Sequence, residues 1–348
     1  MAPSALQELP MELLLEIAAL ITDTRDLRSV CLSSKALNTA AIPKLYTHFH
    51  VNSDCGVTLQ PGNTGLHQQV MDALLAMIRK ALRLIPPNAL RAFSAPDWLE
   101  MDKVTLSTLF SFHPSLTSFH AYHASGFARA TLSITLPHLR HLAIPLRGPD
   151  VKQARKRAYR QLLSHAPHLE SLVLERWEWD HPERSIPLTS ILRHISSSSL
   201  HTLQVTLEDY DCVPDLITKC QGLFHNVRDL ALSVHYWVGN DVERFISSFD
   251  SLRNFRASGL EPFDLSCLEK HAPTLETLGI DCYCPDFSYW ETSLAKFRAL
   301  IRLMKRLERL DLQMPDLSEA DAREDKWGLF GEVLVRFLRS MVYLAAYD

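Results

Sequence analysis

Glycine is scarce in this chain, 11 in 348 residues. There is no glycine-rich phosphate loop and no Gly-Lys-Ser/Thr run, which argues against most nucleotide folds. No Gly-x-Ser-x-Gly elbow is present to expose a nucleophilic serine. His-Glu-x-x-His and Cys-x-x-Cys are missing as well. The nearest metal-like spacing, Cys282-x-Cys284, has no second pair to complete four ligands. The seven cysteines (Cys31, Cys55, Cys212, Cys220, Cys267, Cys282 and Cys284) are odd in number and scattered. The start, MAPSALQELP, has no basic n-region. Both features point to a soluble chain in a reducing compartment, cytoplasmic and/or nuclear. Glu12 and Glu16 break the most apolar early stretch, and no run approaches membrane-spanning length. A net charge of -4 gives no electrostatic case for nucleic acid or an anionic membrane. The expectation is a protein without catalytic residues, cofactor or metal.

What the chain does have is apolar content, 47% of its residues, and a loose repeat. An aliphatic residue, two variable residues, an apolar residue, a variable one and usually a second apolar one recur. The copies are LRAFSA from Leu90, LTSFHA from Leu116, LRHLAI from Leu139, LESLVL from Leu169 and LHTLQV from Leu200. VRDLAL from Val227, LRNFRA from Leu252, LETLGI from Leu275 and LERLDL from Leu307 follow. Their starts are 23 to 32 residues apart, the range of leucine-rich units. Helical patterns lie between them: Val151–His165, Leu188–Ile195, Val213–Leu223, Asp241–Phe249 and Tyr289–Met304. Turns such as His113-Pro114, Leu136-Pro137, His165-Ala166-Pro167 and His271-Ala272-Pro273 stop many helices before the next extended run. One such unit cannot bury its apolar face alone, but stacked units share a core. Histidines His113, His138, His165, His168 and His271 track these turns, which assigns them to the repeat and not to catalysis.

The first fifty residues are different. Pro10 suits a first helical turn, and Leu13, Leu14, Ile17, Leu20 and Ile21 recur at helical steps. Asp26 can cap a second helix with Leu27, Val30 and Cys31. Ser33 or Ser34 can cap a third that carries Leu37, Ala40 and Ala41 and ends at Ile42-Pro43. A bundle of roughly 45 residues buries too small a fraction of its surface to stand comfortably alone.

In order, Leu9-Pro10, Glu12, Ile17, Asp26-Leu27, Val30-Cys31 and Leu45-Tyr46 resemble the F-box. Where that family has Trp or Phe three residues after the Val-Cys cysteine, this chain has Ser34. The repeat resembles the irregular leucine-rich repeats that follow an F-box in many fungal and animal proteins. The asparagine expected eight residues after each first leucine is missing from every copy. The implied fold class is α/β: a three-helix F-box, then an irregular solenoid with parallel strands on its concave face and helices outside. The expected boundaries are F-box 4–51, linker and N-terminal capping helix 52–85, solenoid 86–318 and C-terminal capping helix 319–348. Asn52–Thr64 reads as the linker. Val70, Leu74, Leu75, Ile78, Leu82 and Ile85 give the capping helix its apolar side, and Trp327–Leu344 carries the far cap.

The resemblance implies a substrate-recognition subunit of a cullin-RING (SCF-type) ubiquitin ligase, which does no chemistry itself. The partners would be a Skp-family adaptor, through it a cullin, and a protein target. The implied adaptor contacts are Leu9, Pro10, Leu13, Leu14 and Ile17, with Leu27 and Val30 next. The alternative is a repeat scaffold with no ligase role.

Strand alternation makes the second, fourth and sixth residues after each first leucine face outward. This gives target-contact candidates His120, Tyr122, Glu175, Arg256, Asp281, Arg309 and Asp311. Tyr236 joins them as the aromatic after a strand best placed to face solvent. Trp177, Trp179, Tyr210, Trp237 and Tyr283 also follow strands, at positions that normally fill the core. The basic run Lys152, Arg155, Lys156, Arg157 and Arg160 reads as the solvated face of an outer helix.

Overall fold

The structure is a computed structural model. It describes residues 10–21, 24–33, 35–51, 64–123, 136–146, 152–175, 186–195, 199–207, 211–234, 241–258, 264–281 and 299–313. The chain divides into two compact units. The first is Met1–Ile186 with His194–Ser197; the second is Pro187–Arg193 with Ser198–Asp348.

The first unit opens with three helices, α1 (Met11–Leu20), α2 (Thr24–Ser33) and α3 (Lys35–Leu45). The Pro10 carbonyl starts α1 by accepting from Leu13 N at 3.1 Å and Leu14 N at 3.2 Å. The bundle closes on Leu14, Ala18, Leu27, Leu37, Ala40 and Ala41. Half of these are alanines, so the core is thin. Two local expectations change. Asp26 sits inside the first turn of α2 and does not precede it. Helix α3 runs through Pro43 to Leu45. Proline this close to a C-terminus removes a single ladder donor, and Tyr46 N still reaches Ile42 O at 3.1 Å.

A parallel ladder follows: β1 (His48–His50), β2 (Ala92–Glu100), β3 (Ser118–His123), β4 (His141–Pro145) and β5 (Ser171–Glu175). Their register aligns His48, Ala92, Ser118, His141 and Ser171. The last four stand two residues after the repeat leucines, so the sequence frame and the strand register coincide. Leu90, Leu116, Leu139 and Leu169 are each buried to about 1% exposure or less.

One device recurs along both ladders. Within each unit, the carbonyl one residue after a strand's first repeat residue accepts two successive N–H groups of the next strand. Arg91 O takes Thr117 N at 2.7 Å and Ser118 N at 2.9 Å; Arg253 O takes Glu276 N and Thr277 N in the same way. Thr47 O does this for Arg91 and Ala92. The repeat therefore starts at Tyr46, one copy earlier than the sequence frame placed it. Helix α4 (Thr64–Leu84) is the crossover between β1 and β2, since parallel neighbours need a long connection. It buries Met71, Leu75, Ile78 and Leu82, with Ile85 just beyond, in one stripe.

Phe49, Phe93 and Phe119 occupy matching register positions and stack, with centroids 5.6 Å and 5.9 Å apart. Phe110 of α5 (Lys103–Phe112) tilts against Phe119 at 5.3 Å. Asp102 caps α5 through Thr105 N at 2.8 Å, and its other oxygen holds Arg79 of α4 at 2.9 Å. Pro96, which cannot donate to a ladder, lies where the β2–β3 register shifts. Helix α6 (Lys152–Ser164) buries Ala158, Tyr159, Leu162 and Leu163 and leaves Arg157 and Arg160 exposed.

The second unit carries a ladder of the same kind: β6 (Thr202–Leu207), β7 (Asp229–Val234), β8 (Asn254–Ser258), β9 (Thr277–Asp281) and β10 (Arg309–Gln313). Among its described residues are the helices α7 (Thr189–Leu192), α8 (Val213–Phe224) and α9 (Asp241–Ser247), a helical stretch at 299–303, and a 3-10 turn at Leu265–Leu268. Phe224, Phe245 and Phe249 fill the helix side with centroids 4.7–5.4 Å apart.

Two buried histidines tie the turns. His113 Nε2 lies 3.1 Å from Leu82 O at the end of α4. His271 Nε2 lies 3.1 Å from Ile246 O of α9, and its Nδ1 accepts from Leu252 N at 3.3 Å. The Leu252 bond fixes the proton of His271 on Nε2. Burial lowers the pKa of both rings, against the smaller raising effect of these carbonyl bonds. The expected turn role of His113 and His271 therefore has a physical basis: each imidazole satisfies a carbonyl at the end of a helix. The positions eight residues after the repeat leucines, where asparagine is absent, have side chains outside those described, as do Trp177, Trp179, Tyr210, Trp237, Tyr283 and the cap at Trp327–Leu344.

Candidate functional site

Alternation on the second ladder sends Leu203, Val205, Leu230, Leu232, Phe255, Ala257, Leu278 and Ile280 into the core. The other face is a grid set by the register. One row is Thr202, Asp229, Asn254, Thr277 and Arg309. The next is Gln204, Ala231, Arg256, Gly279 and Asp311.

The first row begins with a closed cluster. Asp229 Oδ2 accepts from Thr202 Oγ1 at 3.0 Å, and Asp229 Oδ1 accepts from Asn254 Nδ2 at 2.5 Å. Both carboxylate oxygens are thus occupied by side chains of the flanking strands. Ser233 and Ser258 make a further cross-strand bond at 2.8 Å.

In the second row Arg256 Nη2 donates to Asp311 Oδ2 at 2.9 Å. These residues belong to strands that are not neighbours, with β9 between them. The glycine at residue 279 lets the arginine arm lie close over β9. A Cβ there would stand 3.2 Å from Arg256 Nε and 3.3 Å from its Cγ, so the arginine arm lies across the gap. The side chains are 65% and 58% exposed. Arg309, on the same face of β10, is exposed and makes no ion pair among the described residues.

Of the expected target contacts, the structure brings Arg256, Arg309 and Asp311 together on this face. Asp281 ends β9, and its side chain is outside those described. His120 belongs to the first unit and is half-buried on β3. Tyr122 and Glu175 are also on that ladder, with side chains outside those described, and Tyr236 lies outside the described residues. Not every outward position is open: Ala143 and Thr206 are each only 7% exposed. Gly279 was missed as a site residue. Its signal was a glycine in the middle of a strand pattern, which marks close approach by another group.

Among the expected adaptor contacts, Leu14 and Leu27 are corrected. They are 1% and 2% exposed and hold the bundle together, so a partner reaches neither without unfolding it. Pro10 and Leu13 are exposed, Ile17 and Val30 are half-buried, and Leu9 lies outside the described residues. The exposed face of α1 also includes Met11, Leu15 and Leu20, and α2 adds Leu32, 81% exposed.

A cavity of about 360 Å³ lies between this bundle and the start of the ladder. Leu15, Ala18, Lys44, Thr47, Asn88 and Arg91 are among its lining residues. Lys44 Nζ donates to Ala19 O near the end of α1. Asn88 takes φ 64 in the turn before β2, a left-handed geometry that asparagine tolerates.

No group of three or more metal-ligating side chains occurs among the described residues, and no described helix is long and apolar enough to cross a membrane. Cys282 and Cys284 lie outside the described residues. Burial pushes the Cys220 thiol up to about 11 and Cys267 higher still, which suits packing and not nucleophilic chemistry.

No protein-family model matches the chain, and no curated protein matches it. Among solved structures, it is similar to the leucine-rich repeat-containing protein LegL7 from Legionella pneumophila. The identity is 12% and the TM-score 0.38, over 68% of this chain and 86% of that one.

Proposed function

We propose that this chain recruits a protein target to an SCF-type ubiquitin ligase. Its N-terminal helices would dock a Skp-family adaptor, and through it a cullin, while its repeat holds the target. The observation that carries this reading is the state of α1. It buries only Leu14 and Ala18 and leaves Met11, Leu13, Leu15 and Leu20 exposed. Apolar residues in such density on one short helix mark a binding surface. The polar ladder face of the second unit supports the other half, because it offers hydrogen-bonding and charged groups above a rigid sheet. On this reading the protein contributes effective concentration and no bond chemistry.

The test uses all 348 residues. Purified Skp-family adaptor is expected to be retained by the wild type and lost with L13E/L20E. Both residues are exposed, so the circular dichroism spectrum should not change. A folded wild-type chain that retains no adaptor overturns the ligase role. It leaves the alternative of a repeat scaffold, which the polar face alone would support.

A further inference from the structure

We propose that the cavity walled by α1, α3 and the turn before β2 binds a small apolar molecule that carries one carboxylate. Lys44 and Arg91 take the carboxylate, and a floor of alanines takes the apolar body. A chain that retains no adaptor can still bind such a ligand, so this site is independent of the ligase role.

Three observations converge. First, the space is open because the residues around it are small. Ala18, Ala19, Ala40 and Ala89 line it together with Leu15, and about 360 Å³ stays free. That is room for one small organic molecule, at the low end of ligand pockets. Second, the walls are tied in place. Lys44 Nζ donates to Ala19 O and so joins α3 to α1. Asn88 N donates to Phe112 O at 3.0 Å, and Asn88 O accepts from Ser115 Oγ at 2.9 Å. A preformed cavity loses little freedom when it is filled.

Third, the charge in the lining has one sign. Lys44 and Arg91 line the cavity, and no carboxylate among the described residues does. Each cation meets a carbonyl and not an acid: Lys44 holds Ala19 O, and Arg91 Nη1 donates to Ser115 O at 3.0 Å. An ammonium has three donors and a guanidinium five, so both keep donors for a ligand. The C-terminal end of α1 offsets about half a charge. Helix α3 and the segment 86–91 contain no acidic residue. Glu12 and Glu16 of α1 are exposed and do not line the cavity. Asp23, in the link after α1, lies outside the described residues; counted as a full opposing charge, it still leaves the lining positive.

The two parts of the lining select the ligand together. A small inorganic anion leaves the alanine floor unused. A neutral apolar molecule leaves both cations unmatched, and a cationic one meets them directly. A guanidinium is also well shaped to take a carboxylate with two parallel bonds.

The experiment is isothermal titration calorimetry, with ligand-detected NMR, on all 348 residues. The probes are naphthoate, its neutral amide and inorganic phosphate. Naphthoate is expected to bind with a Kd of about 1 mM or tighter, the scale for a ligand of its size. The amide and phosphate are each expected to bind about tenfold more weakly, or not at all. K44M and R91M are each expected to weaken naphthoate by about threefold to fivefold, the scale of one exposed ion pair. R91M leaves the Lys44 tie between α3 and α1 intact, so its effect is separate from any loosening of the bundle. A19F places a ring in the cavity from an exposed position on α1 and is expected to abolish binding.

Equal binding of naphthoate and its amide overturns the inference, as does binding to R91M as tight as to the wild type. Unchanged binding by a folded A19F chain would place the ligand elsewhere and overturn it too. So would a folded wild-type chain that binds no naphthoate.

Discussion

Arg256 and Asp311 are 55 residues apart in sequence and meet at 2.9 Å across a strand that belongs to neither. Gly279 lets the arginine arm lie low over the strand, because its missing Cβ leaves room there. An alanine in its place would force the arm upward by a few tenths of an ångström, and a valine by more.

G279V is therefore expected to uncouple the pair without unfolding the sheet. The exposed pair is worth about 0.2–1 kcal/mol. A double-mutant cycle of R256A and D311A in urea should show that coupling in the wild type and none in G279V. Undiminished coupling in G279V would mean that the arm does not need the gap.

His113 and His271 make stability depend on pH. Their folded pKa values lie below the ordinary 6.5 because burial disfavours the imidazolium. The unfolded chain binds more protons between the folded value and 6.5. Stability is then fully present above about 6.5 and declines as pH falls below it, until the folded pKa is passed. Urea midpoints at pH 7.5, 6.5 and 5.5 should fall in that order. The H271A variant should lose about 2 kcal/mol at pH 7.5, since Ile246 O and Leu252 N lose their partner. It should also show a shallower decline than the wild type.

Leu14 and Leu13 are neighbours with opposite duties, 1% and 44% exposed. L14A should cost the bundle about 3 kcal/mol, the scale of a core leucine truncation. Amide exchange in residues 11–45 should accelerate accordingly. L13A should leave exchange unchanged, within about 0.5 kcal/mol. Equal acceleration in both would mean that α1 is packed on more than one side.

Thiol labelling should separate the four described cysteines. Cys212 is exposed and Cys31 half-buried, while Cys220 and Cys267 are buried with raised pKa values. With iodoacetamide on the native protein, peptide mapping should find Cys212 modified first. Cys220 and Cys267 should react only in denaturant. Native labelling of Cys267 at the rate of Cys212 would contradict its burial.

The strand frame was legible in the sequence because one residue type recurs at one buried position. Leu116, Leu139 and Leu169 in the first unit, and Leu200, Leu252 and Leu275 in the second, each fill the same place in successive repeats, and within each unit the register follows them. The copy at Tyr46 was not legible. It begins with an aromatic residue, follows α3 directly and stands 44 residues before the next copy. The pairing of β1 on β2 and the double acceptance by Thr47 O show it to be a member of the series.

By itself, then, the sequence determined much of the local and periodic part, the repeat strands from Leu90 on and their apolar face, though not β1 or helix α5. Those depend on spacing along the chain, and spacing is written there. The tertiary structure decided which outward residues act together. It put Leu14 and Leu27 inside, turned the turn histidines into carbonyl ties, and brought Arg256 over Gly279 to Asp311. The reason is geometric. Neighbours across a sheet are set by register, and a contact that spans two strands depends on both registers and on how much room the residue between them leaves.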